Sequence, residues 1–468
     1  VLGAGSVSQC TLPLLLDNLV EGKQITIVDP IDNRERVKYA LERGAAYLQD
    51  EVTRENLAEL LGRFLSAGDM LVNLAWNIDA NTIIGWTHDH GVMYIDTSVE
   101  EWEPYTQLAL RPPLERTLYH RHMRLREMKA SWSSKGPTSI VEHGANPGLV
   151  SHFVKKALIE IGTKALSDGL AGPGVESALA SASYAQLSQA LGVKVIHIAE
   201  RDTQITNQPK LVDEFVNTWS VEGFYEEGIA PAELGWGTHE KTLPADAYVH
   251  EGAGPRNQIA LARPGATTWV RSWVPECEIT GLVVRHGESF TMSDHLTVWD
   301  GETAVYRPTV HYAYCPADVA INSMRELEMR QWNLQKKQRI MNEEIIDGED
   351  RLGVLLMGHP YKSWWTGSML SIHEARRLAP GQSATTLQVA AAVYAAAAWM
   401  IKNPNAGLLV PDDLPWNEIY DVAEKYLGPI WSGAADWDPL KTRNDLFTPW
   451  NGRTYDTDDV WQFANFLA

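Results

Sequence analysis

Two hydrophobic periods alternate along the first 146 residues. Short apolar runs at Gln24–Asp29, Ala45–Gln49, Met70–Leu74, Val92–Thr97 and Thr138–Val141 are separated by amphipathic stretches of helical length. With Val1–Leu2 they give about six strands joined by crossover helices, the pattern of a doubly wound parallel sheet of Rossmann type. After Pro147 the pattern changes. The spacing predicts a helix over Leu149–Ile161 and a Gly/Pro-rich break over Asp168–Val175. Strand-like segments follow at Lys194–Ala199, Phe215–Ser220, Thr268–Val274, Ile279–His286 and Ala304–Tyr314. Short turns join several of them, so a second α+β domain on a mixed or antiparallel sheet is expected. Helices return after Asp318, and Leu387–Lys402 is expected to pack back on the first domain. The expected domains are residues 1–146 and 147–468, within an α/β chain.

Composition narrows the partners. The 468 residues carry 60 acidic and 40 basic side chains, for a formal charge of -20. That field repels phosphate backbones and anionic lipids and attracts cations. It favours a small cationic substrate over nucleic acid or a membrane surface, although charge that only keeps a chain dissolved looks the same. The longest apolar run, Val389–Ile401, is mostly alanine and too short for a span of about 20 residues. Cys10, Cys277 and Cys315 are too few and too widely spaced for a disulfide framework, which fits a reducing cytoplasm. No secretory signal is visible. Val1 already sits in a strand-like run, so upstream residues are expected.

The first turn carries the strongest chemistry. Gly3-Ala4-Gly5-Ser6-Val7-Ser8 follows a strand and opens a helix, where glycines let the backbone approach a pyrophosphate. Ser8 occupies the position of a third glycine that serves close helix packing. Asp29 ends the second strand, 24 residues after Gly5. An acid there accepts the ribose hydroxyls of NAD and repels a 2′-phosphate, so NAD is the expected cofactor.

Other motifs lead nowhere. No G-x-S-x-G, Walker lysine loop or H-E-x-x-H occurs; His373-Glu374 has Arg377 where a second histidine is needed. His88/His90 and His120/His122 fall in helical stretches, where residues two apart diverge, so no metal is expected. The basic stretch Arg111–Lys135, with Arg116, Arg121, Arg124, Arg126 and Lys129, reads as a solvated crossover helix.

In the second domain the motifs become specific. Gly144-Ala145-Asn146-Pro147-Gly148, His197 to Thr203 (HIAERDT), Asn217 to Phe224 (NTWSVEGF) and Ala232 to Gly237 (AELGWG) resemble bacterial homospermidine synthase, in the saccharopine dehydrogenase fold group. The resemblance runs from Gly3 to the C-terminus. It implies a redox-neutral aminobutyl transfer. NAD+ bound as a prosthetic group oxidises putrescine to an imine, ammonia leaves, a second putrescine adds, and the hydride returns to give homospermidine. It also implies a homodimer. By the same resemblance Trp219, Glu200, Glu227 and His286 are catalytic, while Glu100, Asn146 and Asn77 bind substrate. Gly3, Gly5, Ser6, Val7, Asp29, Asp96, Thr97 and Asn146 line the cofactor. Ser8 and Asn77 depart from the family pattern, which has glycine at the first position and aspartate in some members at the second.

The chemistry asks for such residues. Putrescine arrives as a dication because alkylamines have pKa values near 10. A nitrogen lone pair must drive hydride out, so a base must first take a proton, and a second carboxylate would hold the far ammonium. Glu200 and Glu227 suit these jobs, in either order. A tryptophan face stabilises the cationic iminium and excludes water, the part assigned to Trp219. Read alone, Glu200 equally fits a salt-bridge partner of Arg201, Glu226–Glu227 an exposed loop pair, and His286 a packed strand residue. Two rivals stand beside this reading. A saccharopine- or carboxynorspermidine-type condensing reductase would need an arginine fork for a carboxylate, with Arg201 and Arg307 as candidates. A non-catalytic NAD-binding regulator would need only Gly3, Gly5 and Asp29.

Overall fold

A computed structural model describes every residue except Gln107, Asp445, Thr448, Pro449, Asn451 and Arg453. In the N-terminal region, Leu2 joins two parallel ladders into one sheet. It bridges Val28 on one side and Asn73 on the other, with Gly3 N donating to Val28 O (2.8 Å) and Leu2 N to Val72 O (2.9 Å). The spatial order is Ala46–Gln49, Thr26–Asp29, Leu2, Met70–Asn73, Met93–Asp96, Ser139–Ile140 and finally Leu408–Leu409, all parallel. The strand order reverses at Leu2, so Gly3, Asp29 and Asp96 end at one edge beside the switch point. The last strand comes from far along the chain. Just before it, the helix Ala384–Lys402 packs on the first helix, Ser6–Asn18, with Ala390, Leu387 and Tyr394 against Cys10, Leu14 and Leu15. Among the described residues this helix is long and apolar enough to cross a membrane, and most of that stretch is buried within the fold. Its alanines let neighbouring elements approach closely.

Among the described residues the second sheet has ten strands. Its core is the parallel pair Val195–Asp202 and Thr309–Cys315, flanked by antiparallel strands Glu349–Met357, Ser363–Ser371 and Ile430–Ala435 on one side and Pro231–Gly235, Gln258–Pro264 and Ala247–Val249 on the other. The sheet is therefore mixed. The hairpin Trp269–Val274/Cys277–Leu282 joins it through Tyr314. Alternation divides side chains between the faces: Ile196, Ile198, Tyr312 and Tyr314 pack on the main core, whereas Val195, Ala199 and Ala313 pack on the C-terminal Trp461, Phe463 and Phe466.

Several expected boundaries need correction. The strand expected at Phe215–Ser220 is Glu214–Asn217. Ser220 instead caps the helix Val221–Ile229, its Oγ accepting from Gly223 N at 3.0 Å. Ala304–Tyr314 is two strands, Thr303–Tyr306 and Thr309–Cys315, interrupted at Arg307-Pro308, because proline cannot donate to a ladder. Ile279–His286 is strand only over Cys277–Leu282, which frees Arg285 and His286 to turn toward the site. The strands Glu349–Met357 and Ser363–Ser371 had no alternating signal, being buried almost throughout. Gly353 pairs with Gly367 there, and a Cβ on Gly353 would lie 2.4 Å from the Trp365 ring. The basic stretch is also corrected: the helix Leu118–Ser131 is not simply solvated, since Arg121 and His122 are buried.

Candidate active site

The nucleotide end is built from backbone. Gly3 has φ +85, and a Cβ there would meet Leu74 O at 2.8 Å. Gly5 is exposed, and a Cβ would meet nothing within 4 Å, so no protein packing requires a glycine there. It keeps the loop open to a ligand. Gly5 is also the N-cap of Ser6–Asn18 with no side chain capping the helix, leaving the first-turn N–H groups of Ser6 and Val7 suited to an anion. Ser8 is buried and donates to Gly3 O at 2.7 Å, so it braces the turn as well as filling the third glycine's place. Asp29 accepts from Ala4 N (2.6 Å), Ile31 N (3.0 Å) and Asn33 Nδ2 (3.0 Å). A carboxylate offers about four lone-pair sites, so capacity remains for ribose hydroxyls. This arrangement fits NAD, and the negative charge disfavours a 2′-phosphate. Asp29→Ala should remove both ribose and loop contacts. With each bond to a charged group contributing roughly 1.5–3 kcal/mol, NAD binding should weaken about 10- to 100-fold, read as cofactor retained after gel filtration. Full retention would show that another residue holds the ribose.

Further along the sheet edge, Asp96 is enclosed by protein. Its oxygens accept from Tyr94 OH (2.8 Å) and Glu142 N (2.7 Å), and burial raises its carboxyl well above the usual range. It therefore fixes the chain where Thr97 emerges, and Thr97 is half-buried. Ser98 Oγ donates to Glu100 Oε1 at 2.7 Å, while Glu100 Oε2 has no partner. Burial, with Glu226 nearby, pushes Glu100 up to about 7. Asn77 takes a left-handed φ of 59, which asparagine tolerates better than most residues. Its Oδ1 is buried without a partner.

Beyond the strand Ser139–Ile140, Asn146 joins the two sheets. Its Nδ2 donates to Glu200 Oε2 at 2.6 Å and to Tyr312 OH, and its carbonyl O lies 3.2 Å from His286 Nε2. A carbonyl only accepts, so His286 carries its proton on Nε2; Nδ1 has no partner. Burial lowers His286 to about 4, so the ring is neutral at pH 7. Glu227 Oε1 stands 3.9 Å from the same Nε2, and its Oε2 has no partner. Burial holds Glu227 well above the usual range; Arg285 opposes this, and Glu226, Glu100 and Glu200 add to it.

Glu200 is on the helix-facing side of its strand, in register with Tyr314. Burial pushes it up to about 7, opposed by its hydrogen bonds from Tyr312 and Asn146 and reinforced by Asp202. It makes no pair with Arg201, which points across the sheet to Pro316 O and Asp318. Arg307 is likewise elsewhere, bonded to Thr297 and lying over the Trp299 ring. Neither forms the carboxylate fork that the condensing-reductase reading needs. Glu226 and Glu227 are on the helix Val221–Ile229, not in an exposed loop. Against its burial, Arg285 and Arg121 hold Glu226 down at about 2.

Trp219 is half-buried just before the cap Ser220. Its Nε1 donates to Tyr314 OH at 2.9 Å, and Tyr314 stacks on Tyr312 with ring centroids 5.1 Å apart. The indole is thus tied to the residues around Glu200, and a Cβ on Gly223 would approach it to 2.9 Å. Asn146, Glu200, His286 and Glu227 meet directly, Trp219 joins through the tyrosines, and Glu100 through the field of Glu226. No hydrogen bond links Asn77 to this group. The sequence reading missed Tyr312, Tyr314, Arg121 and Arg285. The tyrosines had a signal, since residues two apart on a strand share a face. Among the described residues no three His, Cys, Asp or Glu side chains are grouped to hold a metal ion.

Residues 1–140 match the saccharopine dehydrogenase NADP binding domain and residues 144–432 the saccharopine dehydrogenase C-terminal domain. The chain is 43% identical over 479 residues to a homospermidine synthase of Blastochloris viridis and 41% identical over 476 residues to one of Mesorhizobium japonicum. Each match covers 100% of this chain and 96% of the relative. The crystal structure of homospermidine synthase from Legionella pneumophila in complex with NAD superimposes with a TM-score of 0.88 at 38% identity, covering 100% of this chain and 96% of that one.

Proposed function

The chain belongs to the homospermidine synthase family, and from that premise we propose how its own residues divide the work. It is an NAD-dependent aminobutyl transferase that condenses two putrescines to homospermidine and releases ammonia. NAD, when bound, takes up the hydride from the first amine's carbon and gives it back at the end. We assign Glu200 as the base. It is the carboxylate that Asn146 ties to the nucleotide edge of the sheet, and it takes the ammonium proton so that the lone pair can form the carbon–nitrogen double bond. Glu227 holds the distal ammonium, with Glu100 further out. His286, neutral and donating to Asn146 O, fixes that loop, and its bare Nδ1 can accept a hydrogen bond from a substrate amine. The second putrescine's free amine adds to the iminium carbon, a proton moves to the departing nitrogen, and ammonia leaves a secondary iminium that is then reduced.

The observation that carries this reading is the junction at Asn146, where two carboxylates and an indole-bearing wall meet the end of the parallel sheet. The arginines facing it, Arg121 and Arg285, are both paired with Glu226, so the pocket offers a diamine carboxylates and no fork for an acid. We take residues 1–146 as the cofactor unit and 147–468 as the substrate unit, the latter lending Leu408–Leu409 to the first sheet. The reading extends to a cytoplasmic homodimer, in keeping with three free thiols and the assembly the resemblance implies.

Incubation with putrescine and a catalytic amount of NAD+, followed by mass spectrometry, tests it. Homospermidine and ammonia without net NADH are expected; condensation only with a carboxylated aldehyde and added NAD(P)H would refute it. In the same assay Trp219→Ala should lower turnover about 30-fold, the equivalent of a desolvated cation–π contact of about 2 kcal/mol, at unchanged NAD content. Unchanged turnover would remove Trp219 from the site.

A further inference from the structure

We propose that Tyr312 is the positioning residue that keeps Glu200 ionisable as a base, through the hydroxyl bond it donates to the carboxylate. The inference rests on Glu200 being the base. Tyr312 is buried on the strand Thr309–Cys315. Its hydroxyl donates to Glu200 Oε2 and accepts from Asn146 Nδ2. Both donors, the phenol and the amide, therefore converge on one carboxylate oxygen, and Oε1 receives neither. The ring is fixed on two sides: it stacks on Tyr314 at 5.1 Å and 11°, and meets the His286 ring edge-on at 4.3 Å. A phenylalanine would keep both ring contacts and lose only the hydroxyl's two bonds, the one to Glu200 and the one from Asn146 Nδ2.

The environment makes that bond consequential. Glu200 faces Asp202 on its own strand, Asp350 on the neighbouring strand Glu349–Met357, and Glu227 on the helix Val221–Ile229. His286 is neutral and supplies no charge. Asp202 is itself held by Thr218 Oγ1 and Gln204, and Asp350 by Thr385 Oγ1 from the helix Ala384–Lys402. Burial and Asp202 thus favour the protonated form of Glu200, and its hydrogen bonds with Tyr312, Asn146 and Asp350 oppose them. Tyr312 can only donate to the carboxylate, because burial beside Glu200 keeps the phenol from ionising. Without the hydroxyl, less of Glu200 is deprotonated near neutrality.

The test is the pH dependence of kcat for the NAD-loaded wild type, Tyr312→Phe, Tyr314→Phe and Glu200→Gln, with NAD content measured for each. In Tyr312→Phe the acid limb should move up by about 1 pH unit, with the alkaline plateau close to wild type. Tyr314→Phe, which loses the bond from Trp219 and leaves Glu200 untouched, should keep the limb in place. Glu200→Gln should lose the limb. A limb that stays put in Tyr312→Phe while Glu200→Gln has lost it overturns the role of Tyr312 and leaves Glu200 as the base. A limb that survives in Glu200→Gln overturns the assignment of the base and the role of Tyr312 with it.

Discussion

Glutamine at position 200 should reduce turnover about 10²- to 10⁴-fold, the range for loss of a positioned general base, while leaving NAD bound. The amide keeps the size of the side chain and can still accept from Asn146 Nδ2, but it cannot take the ammonium proton. In the wild type, burial places Glu200 at about 7. The active form is the carboxylate, so kcat should be low below that value, rise through about pH 7 and level off above it. The ordinary carboxylate range near 4.3 would put the limb well into acid. Stopped-flow detection of bound NADH isolates the first hydride step. If that step runs at the wild-type rate in the variant, Glu200 is not the base, and Glu227 becomes the candidate.

Removing Glu226 should damage the fold more than the chemistry. Its carboxylate is bonded to Arg121 Nη2 at 2.7 Å and to Arg285, and both guanidiniums are buried. Alanine would strand the buried Arg285 charge and leave Arg121 with Glu101 at 3.6 Å, and breaking a buried pair costs about 3–5 kcal/mol. A fall of several degrees in Tm is expected at pH 7. The sign with pH follows from the depressed carboxyl, at about 2 in the fold against about 4.3 in the unfolded chain. The stabilisation is fully present above the unfolded value and is lost as pH falls from about 5 toward 2. Wild type and Glu226→Ala should therefore differ in Tm at pH 7 and converge toward pH 3. Equal Tm values at pH 7 would show that the arginines find other partners. Glu226→Gln, which retains an acceptor without the charge, should fall between the two.

Legibility in the sequence varied with the kind of residue. Gly3, Gly5 and Asp29 were readable because a turn, a helix start and an acid at the next strand end are local and closely spaced. The Rossmann strands were readable for the same reason, as apolar runs between amphipathic helices. Long strands such as Ser363–Ser371 were not, since burial on both faces erases alternation and Trp365 lies across a glycine pair instead of a bulky neighbour. Glu200, Glu227 and His286 were singled out only through the family resemblance; taken alone, each had an ordinary structural explanation. Arg121 was read as part of a solvated basic helix, because nothing local reveals that a helix face will be covered by Glu226 from 105 residues further along.

By itself, then, the sequence determined the nucleotide fold, the acid that ends the second strand and the acidic balance that favours a cationic substrate, all of which follow from short-range pattern and composition. Tertiary structure alone decided which carboxylates are held ionised and which are pushed toward the protonated form. Glu226 and Glu227 are chemically identical neighbours on one helix, yet one faces two guanidiniums and is held ionised, while the other faces His286 and other acids and is pushed upward. That division depends on burial and on charges brought from distant segments, and neither is written in the residues on either side.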